Sequence, residues 1–175
     1  MLKSRWPLAL IGLTAVLYGL CHAGGFFMNL SDSMPKGLYR KVDRLPAVGQ
    51  LATSCLTPEI AAHGLARGYL VPGICPTAIQ PVMKAIMAVS GDTVAIADGH
   101  LQINGVAHPE LIIATQDSKD RALTLFYHTP YRIPPGHVLL ISDYISTSWD
   151  GRFWGAVPIR ELVEPVLVVR HRLIE

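Results

Sequence analysis

From Pro7 to Leu30 the chain carries no charged side chain apart from His22, whereas beyond Asp32 apolar residues come in short bursts separated by turn residues. A helical run of roughly 20 apolar residues is long enough to cross a bilayer core. Lys3 and Arg5 precede the run and no acid occurs before Asp32. Such a basic flank is expected to stay in the cytoplasm, with everything after the run on the far side. Residues 1–28 are thus read as a cytoplasmic tip and a single transmembrane anchor in a bacterial inner membrane, and residues 29–175 as one periplasmic domain. A cleavable signal peptide shares the basic start, and Cys21-His22-Ala23-Gly24 offers small residues near a cut. Its apolar core is ordinarily only about 7–15 residues, shorter than this one. Gly24-Gly25 weakens the outer end of the helix without breaking the assignment, and no polar face suits a soluble core helix.

The exported part alternates as strands do. Gly37–Leu45 and Gln50–Cys55 read as short strands. Thr57-Pro58-Glu59 reads as a helix start with Thr as N-cap and Pro in the first turn, continuing to Arg67 and stopping at Gly68. Val82–Val89 is an apolar run of strand length interrupted only by Lys84. Thr93–Ala97 and Leu101–Ile103 flank Asp98-Gly99 as a hairpin, and Asn104-Gly105 makes another tight turn. His108–Arg132 lacks periodicity and reads as a surface excursion, while Val138–Ile141 and Pro165–Val169 are strands. The fold class is mostly β with one short helix, behind an N-terminal membrane helix.

Composition narrows the functions. A chain of 175 residues suggests one domain with a proper core, and 15 Gly with 13 Pro suit many turns. The net charge of +2 is too small to argue for a nucleic-acid partner. The seven histidines show no metal-ligand spacing and there is no Cys-x-x-Cys, so neither zinc nor any other metal or cofactor is expected. His128 or His137 could serve a Ser-His-Asp triad, but no Gly-x-Ser-x-Gly elbow accompanies them.

Two residues carry candidate chemistry. A serine hydroxyl is a weak nucleophile until a neighbouring base takes its proton. Lysine can be that base when an apolar site lowers its pKa, and Lys84 stands among Val82, Met83, Ala85, Ile86 and Met87. Ser33 lies just past the apolar run. Taken singly, Ser33 before Pro35 is an ordinary turn serine, and Lys84 a charge that protects an edge strand from aggregation.

Their surroundings change that. Ser31-Asp32-Ser33-Met34-Pro35 resembles the Ser-x-Ser-Met-Pro box of type I signal peptidases, and Met83-Lys84 with Ser90-Gly91-Asp92 resembles their lysine box. Ser142-Asp143, with the run from Ser148 through Asp150, Gly151 and Arg152 to Pro158, resembles their final box. The resemblance implies a signal-peptidase-like, LexA-like β fold. It also implies Ser33 as nucleophile and Lys84 as general base. The Ser33 amide and the Ser31 hydroxyl would form the oxyanion hole, and Ser148 would orient the lysine. Asp150 and Arg152 would brace the site as an ion pair, with Met34 in the substrate groove against the membrane surface.

Several departures point to one branch. Ala85 follows the lysine where the housekeeping enzymes commonly carry Arg, Gly151 replaces a Ser, and there is no room for a large inserted domain. Ser33 to Tyr39, and Gly68-Tyr69-Leu70 with Gly73 to Pro76, resemble the TraF-type conjugal-transfer maturation peptidases. That resemblance implies an exported pilin precursor as substrate, cut and in some members joined end to end; Asp150 or Asp143 would then assist the second step. Hydrolysis and cyclisation both stay open. A general signal peptidase acting on many preproteins and an inactive membrane-tethered scaffold are the rival readings. Cys55 and Cys75 flank the predicted helix on the oxidising side of the membrane, where pairing would close a loop of about 20 residues and stabilise by roughly 3 kcal/mol. Two separate buried thiols are the alternative.

Overall fold

Helix α1, Trp6–Ala23, ends where two consecutive glycines stop it. Gly25 takes a positive φ of 77°, and its carbonyl accepts the Lys41 N–H at 3.0 Å. The computed structural model describes residues 6–168, so Lys3, Arg5 and Val169 lie outside the described residues. Leu10, Leu13, Leu17 and Leu20 of α1 are each more than half exposed. Among the described residues no helix is long and apolar enough to cross a membrane.

The apolar run outlasts the helix. Phe26–Asn29 is strand β1, paired antiparallel with β2 (Gly37–Val42) from Phe26 opposite Arg40 to Asn29 opposite Gly37. The boundary expected between residues 28 and 29 is therefore displaced to the glycine pair, and β1 belongs to the sheet. Apolarity alone could not separate a helix from the strand continuing it, because both bury the same residue types.

The remaining strands are β3 (Leu51–Ser54), β4 (Val82–Val89), β5 (Thr93–Ala97), β6 (His100–Ile103), β7 (Val106–Ile112), β8 (Tyr131–Arg132), β9 (His137–Ile141), β10 (Ala156–Pro158) and β11 (Glu161–Val168). They form a seven-stranded sheet in the order β1-β2-β11-β3-β4-β9-β10 and a four-stranded sheet β7-β6-β5-β8. The turns at Asp98-Gly99 and Asn104-Gly105 hold both residues at positive φ, as type I′ hairpins require. The stretch read as an irregular excursion supplies β7, which pairs with β6, and β8, which pairs with β5.

Helix α2 spans Pro58–Arg67 and closes on Gly68 at φ 72°. Thr57 holds the extended N-cap backbone but its side chain makes no capping bond. Cys55 and Cys75, at the two ends of the α2 segment, form a disulfide with Cα atoms 5.7 Å apart. The four-residue helix α3, Gly151–Trp154, had no counterpart in the sequence pattern. Leu56, Ile60, Ile79, Ile86, Leu140, Phe153 and Trp154 share one core, whereas Val94, Leu101, Ile133, Leu139 and Ile141 join the two sheets in another.

Gly37 starts β2 directly beneath Leu167 and Val168 of β11. A Cβ at this position would stand 2.1 Å from the Leu167 carbonyl oxygen and 2.9 Å from the Val168 Cα. Both are backbone atoms, so the clash is relieved only by parting the strands. Gly37→Ala should lower stability by at least about 2 kcal/mol, read as a fall in the thermal unfolding midpoint; an unshifted midpoint would show that the strands separate freely.

Candidate active site

Between Asn29 and Gly37 the chain makes a loop that side-chain hydrogen bonds from Asn29, Ser31 and Tyr39 hold in shape. The Asn29 amide donates to the Met34 and Pro35 carbonyls at 3.2 and 3.1 Å. Its oxygen accepts the Ser31 N–H at 3.2 Å and the Ser31 hydroxyl at 2.8 Å. From below, the buried Tyr39 hydroxyl donates to the Pro35 carbonyl at 2.7 Å. The exposed Lys36–Asp32 pair at 2.6 Å adds little, since solvent screens such pairs. Ser33 sits half-buried at the centre of this loop.

Lys84 comes to Ser33 from the middle of β4. Its Nζ donates a hydrogen bond to the Ser33 Oγ, and in the neutral amine the same contact runs from hydroxyl to nitrogen. The side chain is 5% exposed, between buried Met83 and Ala85 and opposite buried Ala52 of β3. Burial, which disfavours the charged form, lowers the Lys84 pKa to about 8; the Asp150 carboxylate pulls it up, and the Arg152 guanidinium pushes it down. An amine that loses its proton near pH 8 can take one from a hydroxyl already in contact with it.

Asp150 is fully buried, and every approach to its carboxylate is an N–H. Arg152 Nε donates at 2.9 Å and Arg152 Nη2 at 3.0 Å. The Arg152 N–H at 3.1 Å makes Asp150 the N-cap of α3, and the Ser142 N–H, also at 3.1 Å, ties it to the end of β9. Arg152 also donates to the Ser146 and Ser148 carbonyls at 2.9 and 3.0 Å. Ser142 completes the connection: its hydroxyl donates to the Ser33 carbonyl at 2.7 Å and accepts the Tyr144 and Ile145 N–H groups. Three segments far apart in the chain thus meet at Ser33.

Ser33 and Lys84 are brought together, and Asp150 pairs with Arg152. The other expected positions differ. Ser148 is buried at 4% exposure, but its hydroxyl has no hydrogen-bond partner and does not reach Lys84; Arg152 holds the segment by the Ser148 carbonyl instead. Ser31 gives its hydroxyl to Asn29, so it would have to rotate to serve an oxyanion. Met34, expected in the substrate groove, is buried against Tyr39, Met83 and Val163 and lines a cavity beside the Ser33 loop. Asp143 is exposed next to Ser142, and the disulfide stands apart from these residues, at α2. Among the described residues no group of three or more His, Cys, Asp or Glu side chains could hold a metal.

Asn29, Tyr39 and Ser142 shape the site without standing out in the sequence. The only signal for Asn29 was a lone amide at the end of an apolar run, and Ser142 stood inside the final box without an assigned function.

At residue 151 a Cβ would lie 2.6 Å from the Leu140 carbonyl oxygen and 2.9 Å from the Leu139 side chain, which accounts for the glycine.

The family described as signal peptidase, peptidase S26, matches residues 11–169. A plasmid transfer protein TraF of Escherichia coli is 33% identical over 161 residues, covering 89% of this chain and 90% of that protein. A probable conjugal transfer protein TraF of Sinorhizobium fredii is 36% identical over 139 residues, covering 77% of this chain and 71% of its own length. A crystal structure of a signal peptidase I from Enterococcus faecalis is 21% identical with a TM-score of 0.39, covering 68% of this chain and 97% of that one.

The lowered Lys84 pKa has a consequence for stability. Between about pH 8 and 10.5 the unfolded chain holds a proton on this amine that the folded chain has released. Folded stability relative to a Lys84→Met variant should therefore rise across that window, by about 3 kcal/mol in full. Denaturant unfolding of both proteins at a series of pH values measures it, and a flat difference would mean that burial does not lower the pKa.

Proposed function

This chain belongs to the signal peptidase family, peptidase S26, and we propose that it is a membrane-anchored Ser/Lys endopeptidase that matures an exported pilin precursor for conjugative transfer. The observation that carries this reading is the contact between Lys84 Nζ and Ser33 Oγ, made where the amine has almost no water around it. The conjugal and plasmid transfer relatives, similar over most of the chain, support a role in conjugative transfer. The same reading places the chain in the inner membrane with the catalytic domain in the periplasm, and the exposed leucines of α1 support it. These side chains project into solvent, so the N-terminal segment to which α1 belongs would bury them in lipid.

In the proposed reaction neutral Lys84 accepts the Ser33 hydroxyl proton as Oγ attacks the scissile carbonyl. The Ser33 N–H, with the Ser31 hydroxyl rotated away from Asn29, stabilises the oxyanion. Lys84 then returns the proton to the leaving amine, and an ester remains on Ser33. Water completes hydrolysis. If the amine at the other end of the same precursor attacks instead, the product is a ring. Asp150 and Arg152 act through position, by fixing Ser142 and hence the Ser33 carbonyl.

Processing of a co-encoded pilin precursor, followed by mass spectrometry, tests the reading. Ser33→Ala and Lys84→Ala should each lower kcat/KM by about a thousandfold or more, and unchanged processing in both would overturn the mechanism. For the wild type, kcat/KM should climb with pH to a half-point near 8, where Lys84 loses its proton. A product lighter by one water than the linear cut peptide would identify ring closure.

A further inference from the structure

Beneath the Ser33 loop lies a cavity of about 300 Å³ that none of the steps above uses. Met34, Tyr39, Leu51, Tyr144 and Pro165 make its walls, and Asp143 contributes a carboxylate. Its size is at the low end for ligand pockets, fit for one side chain rather than a cofactor. Met34 follows Ser33 directly in the chain. Asp143 follows Ser142, whose hydroxyl holds the Ser33 carbonyl. A peptide lying with its scissile carbonyl on Ser33 Oγ therefore passes the cavity within about two residues of the cut, at roughly 3.3 Å per extended residue.

The charge pattern indicates what fits. Among the described residues no lysine, arginine or histidine nitrogen lies within 4.0 Å of the Asp143 carboxylate. Nor does any described lysine, arginine or histidine line the cavity, and Lys36, which follows the lining residue Pro35, pairs with Asp32 instead. The walls are apolar and include two phenol rings. Burial and the neighbouring Tyr144 both raise the Tyr39 pKa, consistent with the two rings facing one space. Apolar and aromatic walls with one uncompensated carboxylate suit a group that is apolar along its stem and cationic at its tip. Lysine and arginine side chains have that construction, burying their methylenes while the head finds an anion or a ring face.

We propose that this cavity is a specificity site for a basic side chain of the peptide substrate, with Asp143 receiving the cation. The inference rests on the reading of the chain as a Ser33-dependent peptidase and names a feature of its substrate. It separates the requirement at the cut itself from a second requirement a short distance away. An acidic residue at the same substrate position would meet Asp143 as a like charge and be rejected.

A peptide library prepared from a bacterial proteome by cleavage after aromatic residues keeps lysine, arginine and glutamate internal and serves as the probe. The full-length protein in detergent micelles is incubated with it, and new termini are identified by mass spectrometry, with Ser33→Ala as the blank. Wild-type cuts should show lysine or arginine enriched about tenfold over glutamate at one fixed position within two residues of the cut. Asp143→Asn should bring that ratio close to one, and Asp143→Lys should reverse it. Ser33-dependent cuts without any basic preference would overturn the proposal and leave the peptidase reading intact. A basic preference that survives in both Asp143 variants would overturn the assignment to this cavity. No Ser33-dependent cuts in the library or the pilin precursor would overturn the peptidase reading, and the proposal with it. Because the wild-type series decides the preference by itself, a variant that fails to fold does not shield the proposal.

Discussion

A carboxylate taken wholly out of water has to be met by donors, and at Asp150 four N–H groups converge on the two oxygens. Two come from the Arg152 side chain, one from the first turn of α3 and one from the end of β9. Each does local work, yet the set links three segments that would otherwise be independent. It fixes α3, which brings Phe153 and Trp154 into the core. It also holds the N–H of Ser142, whose hydroxyl reaches across to the Ser33 carbonyl. Removing one partner of such a buried pair typically costs about 3–5 kcal/mol, because the other is left uncompensated. The geometry around Ser33 is thus tied to an ion pair that touches no reacting atom.

The same pair sets the electrostatics at Lys84. Burial dominates and pushes the amine toward neutrality, while Asp150 and Arg152 act on it with opposite signs. A lone carboxylate would have raised the lysine pKa and cancelled part of the effect of burial. With the guanidinium bound to it, the carboxylate secures Ser142 at little electrostatic cost to the base. Structural bracing and proton chemistry are satisfied by one arrangement.

Much of the sheet was legible from alternation and turn residues. The β5–β6 hairpin was readable because Asp98-Gly99 favours positive φ at both turn positions. Helix α2 was readable from Pro58 and Gly68, although Thr57 turned out to cap with its backbone alone. Strand β1 was not legible, since Phe26–Met28 is as apolar as the helix before it and only pairing with β2 distinguishes them. Nor were β8 and α3, elements of two and four residues whose conformation is set by what they pack against. At the site, Ser33, Lys84, Asp150 and Arg152 could be singled out by chemistry and motif. Ser142 and Asn29 could not, because serine and asparagine near turns are common and their worth here lies in what they reach.

By itself the sequence determined which reactive groups exist and what surrounds each along the chain: a serine after an apolar run, a lysine inside an apolar strand, and an acid and a base two residues apart. Local chemistry suffices for that, because an apolar flank is written next to the residue it desolvates. Only the tertiary structure decided which groups meet. Ser33 and Lys84 are 51 residues apart and Ser33 and Ser142 are 109 apart. Their contacts depend on the strand order that sets β11 between β2 and β3, and β9 beside β4. It also left the Ser148 hydroxyl without a partner, turned Ser31 toward Asn29 and sank Met34 beneath the loop. Hydrogen bonds act over about 3 Å and are directional, so their partners are fixed by packing in space and cannot be read from spacing along the chain.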